Sequence, residues 1–230
     1  RRVLFRSLAG LKPIEVYDKA EYIDDSTYLS KMSDIAGKYG VAILTHFIEK
    51  TDVKPYSYSS SILVKPSGEY VKIYSKIHLF NAYGYRESDY FIPGSNLSKP
   101  IVLNNRLFYV AICYDIRFPE LFRTYAFNNA TGVIVQSGWV KGFMKEEILD
   151  KLASSRSHEN TMYLILVDQV GELYVGRSGV FNPYGYRELD LGFKPIYREY
   201  SIDPVIVDEA RRQIPVVEES YRRWSIVFKG

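Results

Sequence analysis

The chain holds one cysteine, Cys113, in the stretch RLFYVAICYDIRFPELFRTYAF (106–127), after an apolar run of strand character and just before a helix that opens on Pro119. The ordinary use of such a thiol is as a small buried hydrophobe. The position also suits a nucleophile, because a sharp strand-to-helix turn lifts the side chain off the sheet end and the following amides lower the thiol's pKa. The backbone N–H of Tyr114 is placed to donate to an oxyanion forming on a carbonyl that Cys113 has attacked. A thiol in this role needs a base or a cation nearby. His46 lies in an apolar strand and His158 in a helix, and both read as hydrogen-bonded structural residues; periodicity alone does not dismiss His78. A Cys–His hydrolase using His78 is therefore one reading. A redox-sensing thiol is a weaker one, since the chain has no second cysteine to resolve it.

Several elements must position such a thiol. STYLSKMSDIAGKYG (26–40) places Leu29, Met32, Ile35, Ala36 and Tyr39 on one helical face, with Ser26 or Asp25 to cap its start and Gly40 its end. VAILTHFI (41–48) reads as a strand buried on both faces. YSSSILVK and YVKIYSK flank PSGE as a hairpin, and IVL and RLFYVAIC flank Asn104-Asn105 likewise. A helix over 119–128, a strand over 131–136, a helix over 144–160 and strands in TMYLILVDQV and YVGRSGVFNPYG complete the pattern. Hairpins and crossover helices together predict a layered α/β fold with a mixed sheet or two sheets. The repeat of YGYRE at 83–87 and 184–188 is a coincidence of turn residues, since a solenoid needs at least three units.

Composition bounds the rest. A length of 230 residues with 47% hydrophobic content supports one domain over 1–230, and no linker-like shift interrupts it. The net charge of +3 is too small to imply nucleic acid as a partner. A single cysteine excludes an intrachain disulfide, the apolar runs are too short to span a bilayer, and residues 1–20 show no signal-peptide pattern. The expectation is a cytoplasmic protein without a membrane segment. No HExxH, paired cysteines or GxxxxGK occurs, so catalysis without a metal or other cofactor is expected.

YSKIHLF (74–80), RESDYFIPG (86–94), AICYDIRFPEL (111–121), SRSHENTMYL (155–164) and GRSGVFNPYG (176–185) resemble, in order and spacing, the signature blocks of the nitrilase, or carbon–nitrogen hydrolase, superfamily. The form CYDIRFPEL is similar to the omega-amidase and deaminated-glutathione-amidase branch. The resemblance implies a four-layer αββα sandwich of mixed sheets and a Glu-Lys-Cys catalytic set. Cys113 is then the nucleophile, and Lys76 the cation that favours its thiolate and, with the Tyr114 N–H, the later oxyanion. Glu87 lines the site and orients Lys76; without the family it would read as an exposed loop carboxylate. His78 is demoted to structure. Arg117 and Glu120 are expected to brace the turn by ion pairing, with Glu159 and Asn160 in support.

The family's general base, a third glutamate in an LPE-like block, should fall near RRVLFRSLAGL, yet residues 1–14 hold no carboxylate. Glu15 and Glu21 come too late in the pattern and read as solvated helix charges. Either the sequence is part of a longer chain, or its start is altered and the fold lacks its first strand-helix-strand unit. The expected function is hydrolysis of a small carboxamide of omega-amide type through a cysteine thioester. The alternative is a catalytically impaired homologue that binds a small molecule or serves assembly. The resemblance also implies a homodimer or higher homo-oligomer, paired through helices near 119–129 and 144–160, with an extension over about 203–230 reaching toward the partner.

Overall fold

Ser26 begins a helix because its hydroxyl accepts from the Leu29 N–H at 3.0 Å, and Gly40 ends it because its φ of 65° is free of strain only without a Cβ. The computed structural model describes residues 11–230, which divide into two compact units, 11–99 with Gly230 and 100–229.

In the first unit, helix α1 (Pro13–Lys19) and helix α2 (Thr27–Tyr39) precede a three-stranded antiparallel sheet of β1 (Ile43–Lys50), β2 (Ser57–Val64) and β3 (Tyr70–Ser75), in the order β1-β2-β3. A two-residue hairpin of β4 (Asn81–Ala82) and β5 (Tyr85–Arg86) follows. Leu29 and Ala36 of α2 pack with Phe47, Ile62 and Val64, and Met32 joins at the margin. The face predicted for this helix is narrower than expected. Ile35 is 40% and Tyr39 65% exposed, because the strip that meets the sheet is only as wide as Leu29, Met32 and Ala36. The strand expected at 41–48 starts two residues later and is not buried on both faces. Phe47 alone is buried along β1, which ends the strand order, while the serine-rich β2 lies in the middle and is almost wholly buried.

In the second unit, six strands run in the order β11-β10-β9-β8-β7-β6, from β6 (Ile101–Leu103), β7 (Arg106–Ile112), β8 (Ala130–Ser137), β9 (Tyr163–Asp168), β10 (Gly179–Phe181) and β11 (Arg187–Asp190). β7, β8 and β9 are parallel and the outer pairings antiparallel, so the sheet is mixed as predicted. The two parallel connections are made by α3 (Pro119–Phe127) and α4 (Lys145–His158), each long enough to return the chain to the same end of the sheet. Tyr125 of α3 stacks on Tyr109 of β7 at 4.7 Å and donates to the Val110 carbonyl at 3.0 Å, which fixes α3 on the sheet whose strand delivers Cys113. Helices α5 (Pro204–Gln213) and α6 (Val216–Arg223) close the chain. The segment expected to extend toward a partner thus begins with a helix docked on its own unit: Val207 packs with Tyr163 and Val180, and Arg106 holds Asp208 through two hydrogen bonds of 2.9 and 2.7 Å. No helix among the described residues is long and apolar enough to cross a membrane.

The end of β3 is shaped by a close approach of backbone to backbone. A Cβ on Gly94 would stand 2.2 Å from the Ser75 carbonyl oxygen, beside the Gly94 N–H that donates to the Lys76 carbonyl at 2.8 Å. Gly94→Ala must push apart the backbone there and is expected to cost about 1–3 kcal/mol in urea unfolding. A loss below about half a kcal/mol, the range of an ordinary surface substitution, would show that this approach is not a constraint.

Candidate active site

Lys76 follows β3 directly, and its N–H donates to the Ser59 carbonyl at 2.8 Å, so the sheet ladder extends to it. The residue is 1% exposed, and Glu87 is 0% exposed. Sequence alone made Glu87 an exposed loop carboxylate; the fold instead buries it 2.5 Å from the Lys76 ammonium. Glu87 opens a short 3-10 turn, accepts the Phe80 N–H at 2.5 Å, and through its own carbonyl holds the Tyr90 and Phe91 N–H groups at 3.0 Å each. Two isolated charges could not be buried so completely; as a hydrogen-bonded pair they can.

His46 faces the same region of the first unit, with Nε2 2.8 Å from the Ser59 hydroxyl. Burial pushes its pKa down to about 4, and the Lys76 charge adds to the effect, so the ring is a neutral structural group at ordinary pH. His78 is half-buried. Glu15 is an exposed charge of α1, as expected, whereas Glu21 departs from that expectation. Glu15 accepts the Lys12 N–H at 2.6 Å at the start of α1. Glu21 lies outside any helix and takes hydrogen bonds from the Ser26 and Thr27 hydroxyls and the Tyr28 N–H. Burial raises its pKa, but these donors and Lys31 outweigh burial and hold the carboxyl below its usual range. The position expected for the third catalytic carboxylate, near the chain start, lies outside the described residues for 1–10.

In the second unit Cys113 directly follows β7 with φ at +48°, a left-handed conformation that costs a non-glycine residue about 1–2 kcal/mol. A 3-10 turn over Cys113–Arg117 follows, and α3 begins only at Pro119, so the thiol heads a tight turn and not the α-helix itself. The side chain is half-buried. Two residues that sequence reasoning did not single out hold this turn. The buried carboxylate of Asp115 reaches back to the Ile112 N–H at 2.9 Å. Arg156 of α4 donates from Nε to the Ile116 carbonyl at 2.9 Å and from Nη2 to the Arg117 carbonyl at 3.3 Å. Both sit inside motif blocks, AICYDIRFPEL and SRSHENTMYL, and that membership was the available signal.

The bracing expected of Arg117 and Glu120 takes another form. Glu120 is exposed, and the Arg117 guanidinium lies over the Trp139 ring at 4.8 Å with Nη2 buried and without a hydrogen-bond partner. The ion pair forms instead on α4 and its C-terminal end, between Arg156 and Glu159 at 2.8 Å. Glu159 also gives its carbonyl to Arg123 at 2.6 Å, and Asn160 donates to the Arg156 carbonyl at 2.9 Å. No group of three or more His, Cys, Asp and Glu side chains able to hold a metal occurs among the described residues.

Asp168, at the end of β9, is a second buried acid that sequence reasoning missed. It accepts from the Trp139 N–H at 2.7 Å and the Gly176 N–H at 2.9 Å, tying together the loops after β8 and β9. Burial raises its pKa to about 6 against these donors. Because the folded chain then holds this proton more tightly than the unfolded one, its contribution to stability is fully present below about pH 4 and fades as pH rises to about 6. The stability difference between the natural chain and Asp168→Asn is therefore expected to shift against the natural chain from about pH 4 to 6 and stay level above that. A difference flat across the whole range would refute the buried acid. For the ion pair, Glu87→Ala leaves a buried ammonium alone and is expected to cost about 3–5 kcal/mol in urea unfolding. A loss near that of an exposed pair, below about 1 kcal/mol, would contradict the burial.

Comparison with known proteins agrees with this layout. Residues 7–195 match the model of the carbon-nitrogen hydrolase family, a span that runs across both units. A deaminated glutathione amidase of Escherichia coli O157:H7 is 26% identical over 175 residues, covering 76% of this chain and 66% of the relative. The omega-amidase NIT3 of Saccharomyces cerevisiae is 29% identical over 218 residues, covering 88% of this chain and 72% of the relative. The chain thus spans about two thirds of the length of these relatives. Among solved structures, a variant of the amidase from Nesterenkonia sp. AN1, bearing the acetamide moiety of fluoroacetamide on its active-site cysteine, superposes with a TM-score of 0.72 at 22% identity, covering 94% of this chain and 79% of that one. The α/β fold with mixed sheets is the nitrilase-like fold, and the chain belongs to the carbon-nitrogen hydrolase family.

Proposed function

We propose that this protein hydrolyses the C–N bond of a small carboxamide of omega-amide type, with Cys113 as nucleophile and Lys76 and Glu87 in the roles that the family resemblance assigns to them. The observation that carries the reading is the buried Lys76–Glu87 pair, because a family residue that sequence alone makes a surface charge is instead held at 2.5 Å from the ammonium it should orient. The strained backbone at Cys113 adds support, since such conformations persist where the surroundings enforce them and cluster at active sites.

In this mechanism the Cys113 thiolate adds to the amide carbonyl, and the oxyanion is met by the Tyr114 N–H and the Lys76 ammonium. Collapse breaks the C–N bond, nitrogen takes a proton and departs as ammonia, and the acyl group remains as a thioester. Water then adds to the thioester carbonyl and loses a proton, the C–S bond breaks, and the acid leaves with the thiolate restored. Overall one amide and one water give one carboxylic acid and one ammonia. Each half needs a proton carrier, and the position that the family resemblance gives to that carboxylate lies near residues 1–10, outside the described residues.

Ammonia release from a panel of small amides separates these readings. The expected result is turnover that Cys113→Ala abolishes, that Lys76→Ala lowers by about three orders of magnitude or more, and that His78→Ala changes by less than about tenfold. The opposite ranking of Lys76 and His78 would establish the Cys–His hydrolase. Equal inertness of the natural chain and Cys113→Ala would overturn the hydrolase reading for this chain.

A further inference from the structure

Three neighbouring parallel strands end in step: Ile112, Gln136 and Val167 are register partners, and the residues after them are Cys113, Ser137 and Asp168. Asp168 is 7% exposed, and each of its oxygens meets the N–H of a different loop, Oδ1 that of Trp139 at 2.7 Å and Oδ2 that of Gly176 at 2.9 Å. The two loops also hold each other. The Val175 N–H donates to the Trp139 carbonyl at 2.8 Å, the Lys141 N–H donates to the Leu173 carbonyl at 3.0 Å, and Val140 bridges to Tyr174. An ionised carboxylate suits this place because it only accepts. An asparagine amide or a protonated carboxyl puts a donor where one of the two acceptors stood.

Two contacts link this carboxylate to the thiol's turn. The Trp139 indole donates from Nε1 to the Lys145 carbonyl at 3.0 Å and carries the Arg117 guanidinium 4.8 Å and the Lys145 ammonium 5.4 Å from its ring centre. Arg117 in turn ends the 3-10 turn that Cys113 begins. The left-handed backbone at Cys113 needs support of this kind, since such a conformation persists only where the surroundings enforce it. Burial raises the Asp168 pKa to about 6, and the groups that act most strongly against burial are uncharged: the Ser137 hydroxyl from β8 and the N–H groups of Trp139, Gln169 and Gly176. The Ser178 hydroxyl, also uncharged, accepts the Asp168 N–H at 2.9 Å and donates to the Asp168 carbonyl at 2.9 Å. Arg177, between Gly176 and Ser178, is paired with Asp190 at 2.6 Å.

We propose that Asp168 is a positioning residue for Cys113: its ionised carboxylate anchors the Trp139 backbone and, through the indole that carries Arg117, the turn that presents the thiol. The inference rests on the reading of Cys113 as nucleophile and adds to it a dependence of thiol reactivity on the charge of a buried acid that touches neither the thiol nor the substrate.

Alkylation by iodoacetamide gives a readout that does not depend on turnover. The thiolate sulfur bonds to the reagent's carbon as iodide leaves, the reagent is neutral, and the chain has one cysteine, so every event at sulfur reports Cys113. Asp168→Asn fixes the uncharged state. It is expected to react at the natural rate at about pH 5 and roughly fivefold more slowly at about pH 8, the effect of one ordinary hydrogen bond, with the change centred near pH 6. A ratio between the two chains that is the same at every pH means that Asp168 only supports the fold. A variant faster than the natural chain at about pH 8 means that the acid acts on the thiolate by charge alone. Either result overturns the proposal, as do equal rates throughout. If Asp168→Asn fails to give a cooperative melting curve, a Trp224→Phe chain supplies the readout, because Trp139 is then its one tryptophan and Trp224 is 72% exposed. Its emission is expected to shift with a midpoint near pH 6, and emission unchanged from about pH 5 to 8 overturns the proposal. Ammonia release from the amide panel by the natural chain is measured alongside. If no amide is hydrolysed and the rate ratio still changes with pH, the positioning role stands and the amidase reading is lost. If amides are hydrolysed and the ratio is flat, the amidase reading stands and the role of Asp168 is lost.

Discussion

A lysine and a glutamate, both removed from water and 2.5 Å apart, constrain the first unit more than any other contact. Burying either charge alone costs several kcal/mol, so the backbone that carries each one has to be held where the other can compensate it. That requirement gives a reason for features that otherwise look incidental. The ladder of β2 continues past β3 to the Lys76 N–H, Gly94 comes so near the Ser75 carbonyl that no side chain fits, and the short turn at Glu87 gathers the N–H groups of Tyr90 and Phe91. His46 completes the arrangement by staying neutral, since a second cation beside Lys76 would exceed what one carboxylate can offset.

The second unit solves a different problem, that of keeping Cys113 in a left-handed conformation at the end of a parallel strand. Here the fixed points are carbonyl and amide groups of the turn, held by Asp115 from within and by Arg156 from the neighbouring crossover helix. Both units thus secure the residues of chemical interest by pairing buried polar groups, and in both the supporting residues are as buried as the hydrophobic core around them.

Much of this was legible before any coordinates. The cap at Ser26, the stop at Gly40, the helices near 119–128 and 144–160 and the mixed character of the sheet all follow from side-chain chemistry and period, which act over a few residues. Burial was less legible. Ile35 and Tyr39 fall on the right helical face and are still exposed, β1 is apolar and ends its sheet, and β2 is rich in serine and lies in the middle, because strand order is decided by pairing between distant segments. The ion pair predicted for Arg117 and Glu120 failed for a similar reason: Trp139, far along the chain beyond α3 and β8, offered the guanidinium a ring.

By itself the sequence determined the family, the order of elements, and which residues deserved attention as nucleophile, cation and carboxylate, because motif residues and local propensities are written in the chain at short range. The tertiary structure alone decided that Glu87 is buried against Lys76, that Asp115 and Arg156 hold the thiol's turn, and that Arg117 and Lys145 meet on one indole. These are pairings of charge and polarity between groups that the fold brings together, and their strength depends on removal from water, a quantity that exists only once the chain has folded.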